Sequence, residues 1–339
     1  VPASTSTETP STLSVRVPED GFVEYAWMDE EGRVRPDPDN PQRASNPWWP
    51  DARLLVGPRY QPAPELALLA EAGAGQLQRL RLDSVALTQE RRLLIYSPAS
   101  HPGDAGQALP VVYVQDGLAM HHVGQLDRVL ELLLTRAEVR PAHLVFVVPH
   151  ERSREYRFDP GFEAFMLDEL IPFVEARVPT SGERLLMGAS LGGLVSATLA
   201  LKHPERFSGV IAMSGAFLFA PGEDIAEHYR GGEWVVHELR RRPLEDVAHL
   251  RWTLDCGTLE WLTPVNRRLA AALRRRGQAF YYAERNAGHC WANWRDGMPD
   301  LLRHALAPEP RTRPRGKVDA GEPTTIDDET IDTRRRKGT

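Results

Sequence analysis

Cysteine is nearly absent from this chain of 339 residues: there are two, Cys256 and Cys290. Two cannot form the disulfide framework that holds small secreted domains together. Stability must come from a buried core, for which a chain this long and 42% apolar has ample material. An excess of positive charge is also missing. Lys and Arg number 41 against 47 Asp and Glu, a net charge of -6, so nothing draws the chain to nucleic acid in general. The basic runs are short, Arg240-Arg241-Arg242 and Arg334-Arg335-Arg336. No stretch of eighteen apolar residues occurs, so no transmembrane helix and no membrane partner is expected. Residues 1–13 are rich in Ser, Thr and Pro and lack the basic start and apolar centre of a secretory signal. A cytoplasmic location is the expectation; export by a signal removed ahead of Val1 is the alternative.

What is present is an alternation of strand and helix signals. Residues 80–82 and 92–96 read as an opening pair of strands, 110–115 and 144–148 as buried strands, and 185–189, 209–213, 252–256 and 280–283 as the rest of a sheet. Helical spacing fills 125–134, 162–178 and 265–275. This order implies an α/β fold, a mostly parallel sheet with helices on both faces. A small β-rich piece precedes it, in which 13–17 and 22–27 alternate like half-exposed strands around the turn 29–32. The expected organisation is a mobile tail at 1–13, the β-rich segment at 14–76, the main domain at 77–306 and a disordered tail at 307–339, too polar to offset its ordering entropy.

Inside the main domain, Gly188-Ala189-Ser190-Leu191-Gly192 follows an apolar strand and leads into a helix. The flanking glycines allow the sharp turn that lifts a serine above the carboxyl edge of an α/β-hydrolase sheet, with helix N-terminal N–H groups beside it. A serine nucleophile needs a base. In hydrolase order the acid follows the serine and the histidine comes last, after the final strand. His289 sits there, behind Ala287-Gly288. Asp255 and Glu260 compete as the acid. Glu260 is favoured, because the loop beyond Gly257 opens over the edge where Ser190 stands, whereas alternate side chains of an extended strand point into the covering helices. Two backbone N–H groups must hold the developing oxyanion. Leu191 supplies one, and Leu118, after Asp116-Gly117 at the end of the 110–115 strand, the other.

The strings Asp116-Gly117, Arg152-Ser153-Arg154-Glu155-Tyr156, Glu169-Leu170-Ile171-Pro172, the elbow, His203-Pro204-Glu205-Arg206-Phe207, Gly257-Thr258-Leu259-Glu260 and Gly288-His289 with Trp294-Arg295 resemble the putative-esterase family. Enterochelin esterases, esterase D, feruloyl esterases and the antigen 85 mycolyltransferases belong to it. The resemblance runs from about residue 77 to 306. It implies an α/β-hydrolase fold, cleavage of carboxylic esters through a seryl acyl-enzyme, no metal or other cofactor, Ser190, Glu260 and His289 as the triad, and Leu118 and Leu191 as the oxyanion donors. Cys290 departs from the Asn or Asp of many relatives. The stretch 37–49, with Trp48-Trp49, resembles the last strands of the immunoglobulin-like module of enterochelin esterases; a hairpin shielding a sheet edge is the alternative.

A small-molecule ester, such as an anionic ferric siderophore of the trilactone type, is the partner this implies. A general short-acyl or feruloyl-type esterase, an acyltransferase, and a non-catalytic binding protein on a hydrolase fold are the rivals. Arg152 and Arg154, after the 144–148 strand, read either as a clamp for such an anion or as partners of nearby carboxylates. His121 and His122 follow the oxyanion turn and are candidates for the pocket wall, and Trp234, with Phe217 and Phe219, for a cap. Cys256 and Cys290 come from neighbouring strand ends, yet a cytoplasmic pair stays reduced.

Overall fold

The computed structural model describes residues 16–44, 46–99, 107–222 and 232–308; the two tails, save residues 307 and 308, lie outside them. Eight strands form the main sheet: β5 (Gln76–Ser84), β6 (Gln89–Ser97), β7 (Leu109–Val114), β8 (His143–Val147), β9 (Thr180–Ala189), β10 (Gly209–Met213), β11 (Arg251–Gly257) and β12 (Phe280–Arg285), in the spatial order β12-β11-β10-β9-β7-β8-β6-β5. β5, β6 and β8 pair antiparallel in turn, and every pairing from β8 to β12 is parallel. This is the α/β-hydrolase architecture. The interior strands are continuously apolar because both faces are covered: all five residues of β8 and of β10 are buried.

The pleat divides the core. Val111, Tyr113, Leu186 and Val210 face one apolar cluster, and Val112, Val114, Leu185, Met187 and Ile211 face the other. Helix α1 (Gly117–His122) follows β7, and α2 (Leu126–Thr135) leads toward β8. After β8 come a single turn α3 (Arg152–Glu155), α4 (Pro160–Ala164), a π-helical stretch (Phe165–Leu170) and α5 (Ile171–Glu175). Then follow α6 (Leu191–Lys202), α7 (Trp234–Arg241), α8 (Leu244–Val247), α9 (Thr263–Arg276) and α10 (Trp291–Ala305). The chain places β8 on one side of β7 and β9 on the other. The crevice at such a reversal is where open α/β sheets bind ligands, and the loops after β7 and β9 carry Asp116-Gly117-Leu118 and Ser190.

Ahead of the sheet, β1 (Phe22–Tyr25) pairs antiparallel with β4 (Arg53–Val56), and β2 (Trp27–Met28) with β3 (Val34–Arg35). Residues 16 and 17, expected to continue a strand, are not in one. Nor does this piece pair along the edge strand β12. Phe22 bridges instead to Ala287, past the end of β12, with the Phe22 N–H donating to the Asn286 carbonyl at 2.9 Å and the Gly288 N–H to the Phe22 carbonyl at 3.0 Å. The N-terminal segment is thus fastened to the loop that carries His289.

Candidate active site

Ser190 lies between β9 and α6 with φ 56° and ψ -119°, a backbone conformation that L residues avoid. A Cβ at Gly188 would stand 2.4 Å from the Gly192 backbone, so only glycine permits the tight turn. The strained residue is held by its neighbours: its N–H donates to Met213 at 2.9 Å, and its carbonyl accepts from Ala216 at 3.0 Å.

The Ser190 hydroxyl is 3.0 Å from Nε2 of His289, and Nδ1 of His289 meets Oε2 of Glu260. The two loops that bring these together are zipped: Leu259 N–H donates to the Ala287 carbonyl at 3.0 Å and Thr258 N–H to Arg285 at 2.8 Å. Gly257 makes the approach possible, since a Cβ there would sit 2.1 Å from the Ala287 carbonyl oxygen. Thr263 donates to the carbonyls of Gly257 and Glu260 at 2.6 and 2.7 Å and fixes the acid loop from below. Oε1 of Glu260 accepts from Ser214 Oγ at 2.6 Å, the Gly257 N–H at 2.7 Å and the Cys256 thiol at 3.3 Å. Burial alone would raise this carboxyl, but the hydrogen bonds from His289, Ser214 and Gly257 reverse the effect and hold it below the usual glutamate range. Asp255 is turned away, buried against Arg285 at 2.5 Å, as strand alternation dictates.

Leu118 and Leu191 fall in the first turns of α1 and α6, where a helix offers its N–H groups no acceptor. Asp116, at φ 57°, directs the first of these turns. Its carboxylate is gripped at both oxygens by Arg152, at 2.6 and 2.8 Å, and its N–H donates to the Tyr156 hydroxyl at 2.9 Å. Arg152 also donates to the Ala189 carbonyl at 3.4 Å and lies under the Trp48 ring at 5.0 Å. It thereby ties the turn at Asp116 to the end of β9, and its fork is already filled.

The other candidates make no hydrogen bond to Ser190, His289 or Glu260 among the described residues. Arg154 is exposed and paired with Asp159 and Glu151, lining a cavity with Thr88 and Gln89. Nδ1 of His121 is 3.0 Å from the Asp127 carboxylate. Trp234, at the start of α7, packs edge-on against Phe158 with ring centres 5.5 Å apart. His122 lines a cavity of about 410 Å³ with Arg43, Asn46 and Arg295. Both cysteines are free and buried. Among the described residues no cluster of His, Cys, Asp and Glu is spaced to hold a metal ion, and no helix is long and apolar enough to cross a membrane.

Several residues of the site escaped the sequence. Ser214, in left-handed conformation after β10 (φ 48°), bridges Glu260 to the indole N–H of Trp294, which donates to its Oγ at 3.1 Å. Trp261 and Trp294 flank the His289 ring at 4.7 and 5.1 Å. A cavity of about 440 Å³ reaches His289, walled by Glu24, Tyr25, Trp27, Met28, Asn46, Trp49 and Trp261. Most of that wall belongs to the N-terminal segment. The one available signal was the exposed-looking Trp48-Trp49 pair between prolines.

Together the site can deprotonate a hydroxyl at Ser190, hold an imidazolium at His289 against a carboxylate, and receive a developing negative charge at two helix N-termini. The family model described as putative esterase matches residues 84–305. A Bacillus subtilis (strain 168) protein, described as uncharacterized protein YjcH, is 25% identical over 243 residues, spanning 68% of this chain and 98% of that one. The iron(III) enterobactin esterase of Escherichia coli (strain K12) is 27% identical over 225 residues, 63% of this chain; the match spans 53%, about half, of the enzyme's length. The enterochelin esterase structure from Shigella flexneri superposes with a TM-score of 0.68 at 22% identity, over 84% of this chain and 78% of that one.

Proposed function

The chain belongs to the putative-esterase family, and from that premise we propose that it is a serine carboxylesterase working through an acyl-enzyme, with Ser190 as nucleophile, His289 as base and Glu260 as the acid that orients it. What supports the reading is a single contiguous run of hydrogen bonds, Ser190 to His289 to Glu260. His289 Nε2 takes the Ser190 proton as Oγ attacks the ester carbonyl. The oxyanion draws on the N–H groups of Leu118 and Leu191, and the imidazolium returns its proton to the departing alkoxide. Water, activated by the same nitrogen, then frees the acid and restores the serine.

Fluorophosphonate labelling tests this. Wild type should be labelled and Ser190→Ala should not; an unlabelled wild type would leave a binding protein on a hydrolase fold.

A second reading, hydrolysis of an anionic ferric trilactone, draws on the cavity of Arg43, His122 and Arg295, since neither arginine has a carboxylate partner among the described residues. Arg152 and Arg154 do not add to it, being paired with acids. Turnover of a catecholate trilactone in preference to simple esters would favour it.

A further inference from the structure

Nine large apolar side chains stand exposed among the described residues, and four of them, Trp27, Met28, Trp49 and Trp261, line the cavity that reaches His289. Indole rings exposed beside a reactive centre are the usual mark of a surface waiting for a ligand. Their π faces carry negative potential and attract a cation more strongly than a neutral group of the same shape.

The same cavity contains a carboxylate. Glu24, on β1, accepts a hydrogen bond from Asn46 Nδ2 at 2.8 Å through Oε2, and the backbone N–H of Trp291 also faces its carboxylate, while Oε1 is shut from solvent and makes no well-aligned hydrogen bond. A carboxylate oxygen left in that state favours any cation or strong donor that reaches it. Burial pushes the Glu24 carboxyl above the usual glutamate range, against the pull of Asn46, His289 and the Trp291 N–H; an arriving positive charge would reverse that. Among the described residues no lysine or arginine lines the cavity, and the one basic side chain in its wall is His289.

We propose that this recess binds a positively charged, alkylammonium part of the ester substrate, with Trp27, Trp49 and Trp261 around the cation and Glu24 behind it. The proposal rests on the esterase reading of Ser190. It sets the charge of the group that the N-terminal segment presents to the acyl-enzyme chemistry, which that reading leaves open.

The test compares three acetate esters of similar size: acetylcholine, its uncharged isostere 3,3-dimethylbutyl acetate, and an ester ending in a carboxylate. Wild type should prefer acetylcholine to the isostere by roughly tenfold in kcat/KM, with the anionic ester lowest. Glu24→Gln should bring the cation-to-neutral ratio to within about twofold, taken from the same charge argument. The ratio is measured within one protein, so partial unfolding of the variant cancels; Trp261→Leu, at the cavity's exposed rim, should lower it too. A wild-type ratio of one or less, or a ratio untouched by Glu24→Gln, overturns the proposal. Binding of choline against 3,3-dimethylbutanol, followed by tryptophan fluorescence in Ser190→Ala, separates the two readings. Selective choline binding without hydrolysis of any ester would sink the esterase and keep the recess. Hydrolysis of p-nitrophenyl acetate with no selectivity for choline would do the opposite.

Discussion

Replacing Glu260 by glutamine changes one atom and should disable the base. Three donors converge on Oε1, from Ser214 at 2.6 Å, Gly257 at 2.7 Å and Cys256 at 3.3 Å. A glutamine must therefore keep its oxygen there and turn its NH2 toward His289. The flipped amide would set an NH2 against the Gly257 N–H and leave that buried donor unmet, at about 1–3 kcal/mol. With an NH2 facing it, Nδ1 of His289 has to accept, and the ring proton moves to Nε2. That nitrogen lies 3.0 Å from Ser190 Oγ and could then donate but not take a proton. The expected loss in kcat is about 10³- to 10⁴-fold, or roughly 4 to 5.5 kcal/mol of transition-state stabilisation. KM should hardly move, since Glu260 sits behind the histidine. The assay is steady-state hydrolysis of p-nitrophenyl acetate at about pH 6 to 9, where Glu260, held below the usual range, stays ionised. Asp255→Asn is the control on the same strand end: it uncouples Arg285, so its Tm should fall while kcat stays within about tenfold of wild type. A Glu260→Gln loss smaller than about tenfold, or an Asp255→Asn loss exceeding it, would refute the assignment.

Ser190→Ala should lower kcat by about 10⁶-fold, measured on the same ester with tightly bound wild-type contamination excluded. Arg152→Met strips both hydrogen bonds from the buried Asp116 carboxylate and should cost about 3–5 kcal/mol in urea unfolding, part of it recovered by adding Asp116→Asn. Glu155 would be raised by burial, but Arg91, with the backbone N–H groups of Glu151 and His150, holds it below its ordinary value. Its folded value lies under its unfolded one, so its stabilisation is complete above about pH 4.3 and lost as the pH falls through the folded value; Glu155→Gln should flatten the acid limb of a Tm-against-pH curve. Burial pushes the Cys290 thiol up to about 12, and burial together with Glu260 raises Cys256 well above its usual value. Iodoacetamide at about pH 8 should leave the folded protein unmodified and label two thiols after urea is added.

The parts of the fold legible in the sequence are those with a local cause. β8, β9 and β10 could be read because a strand covered on both faces has nothing to alternate with. Where Ser190, Glu260 and His289 would stand could be read because strand order fixes the order in which loops arrive at one sheet edge, while the preference for Glu260 over Asp255 drew on the pleat together with the loop beyond Gly257. Contacts distant in sequence left no such trace. The partner of Arg152 is 36 residues away, and nothing in the local string distinguishes a clamp from an ion pair. Ser214 is an ordinary serine after a strand until the left-handed turn at that residue aims it at Glu260. Helix α7 is short, and its buried Val235, Val236 and Leu239 offer too few repeats to establish a period beside Gly231-Gly232. The role of residues 22–49 in walling the cavity depends on a bridge from Phe22 to Ala287, which no periodicity encodes.

That bridge has an evolutionary consequence. Ser190, Glu260 and His289 stand on loops of the sheet, whereas much of the wall of the cavity that reaches His289 comes from a segment lying ahead of residue 84, where the family match begins. On the proposed reading, chemistry and selectivity are encoded at separate loci. Substitutions at Glu24, Trp27 or Trp49 can retune what the enzyme accepts with no change to Ser190, Glu260 or the oxyanion turns, and descendants sharing one triad are free to diverge in diet. The freedom is bounded at a single point: Phe22 must keep its backbone pairing with residues 286–288, because drift there would loosen His289 itself.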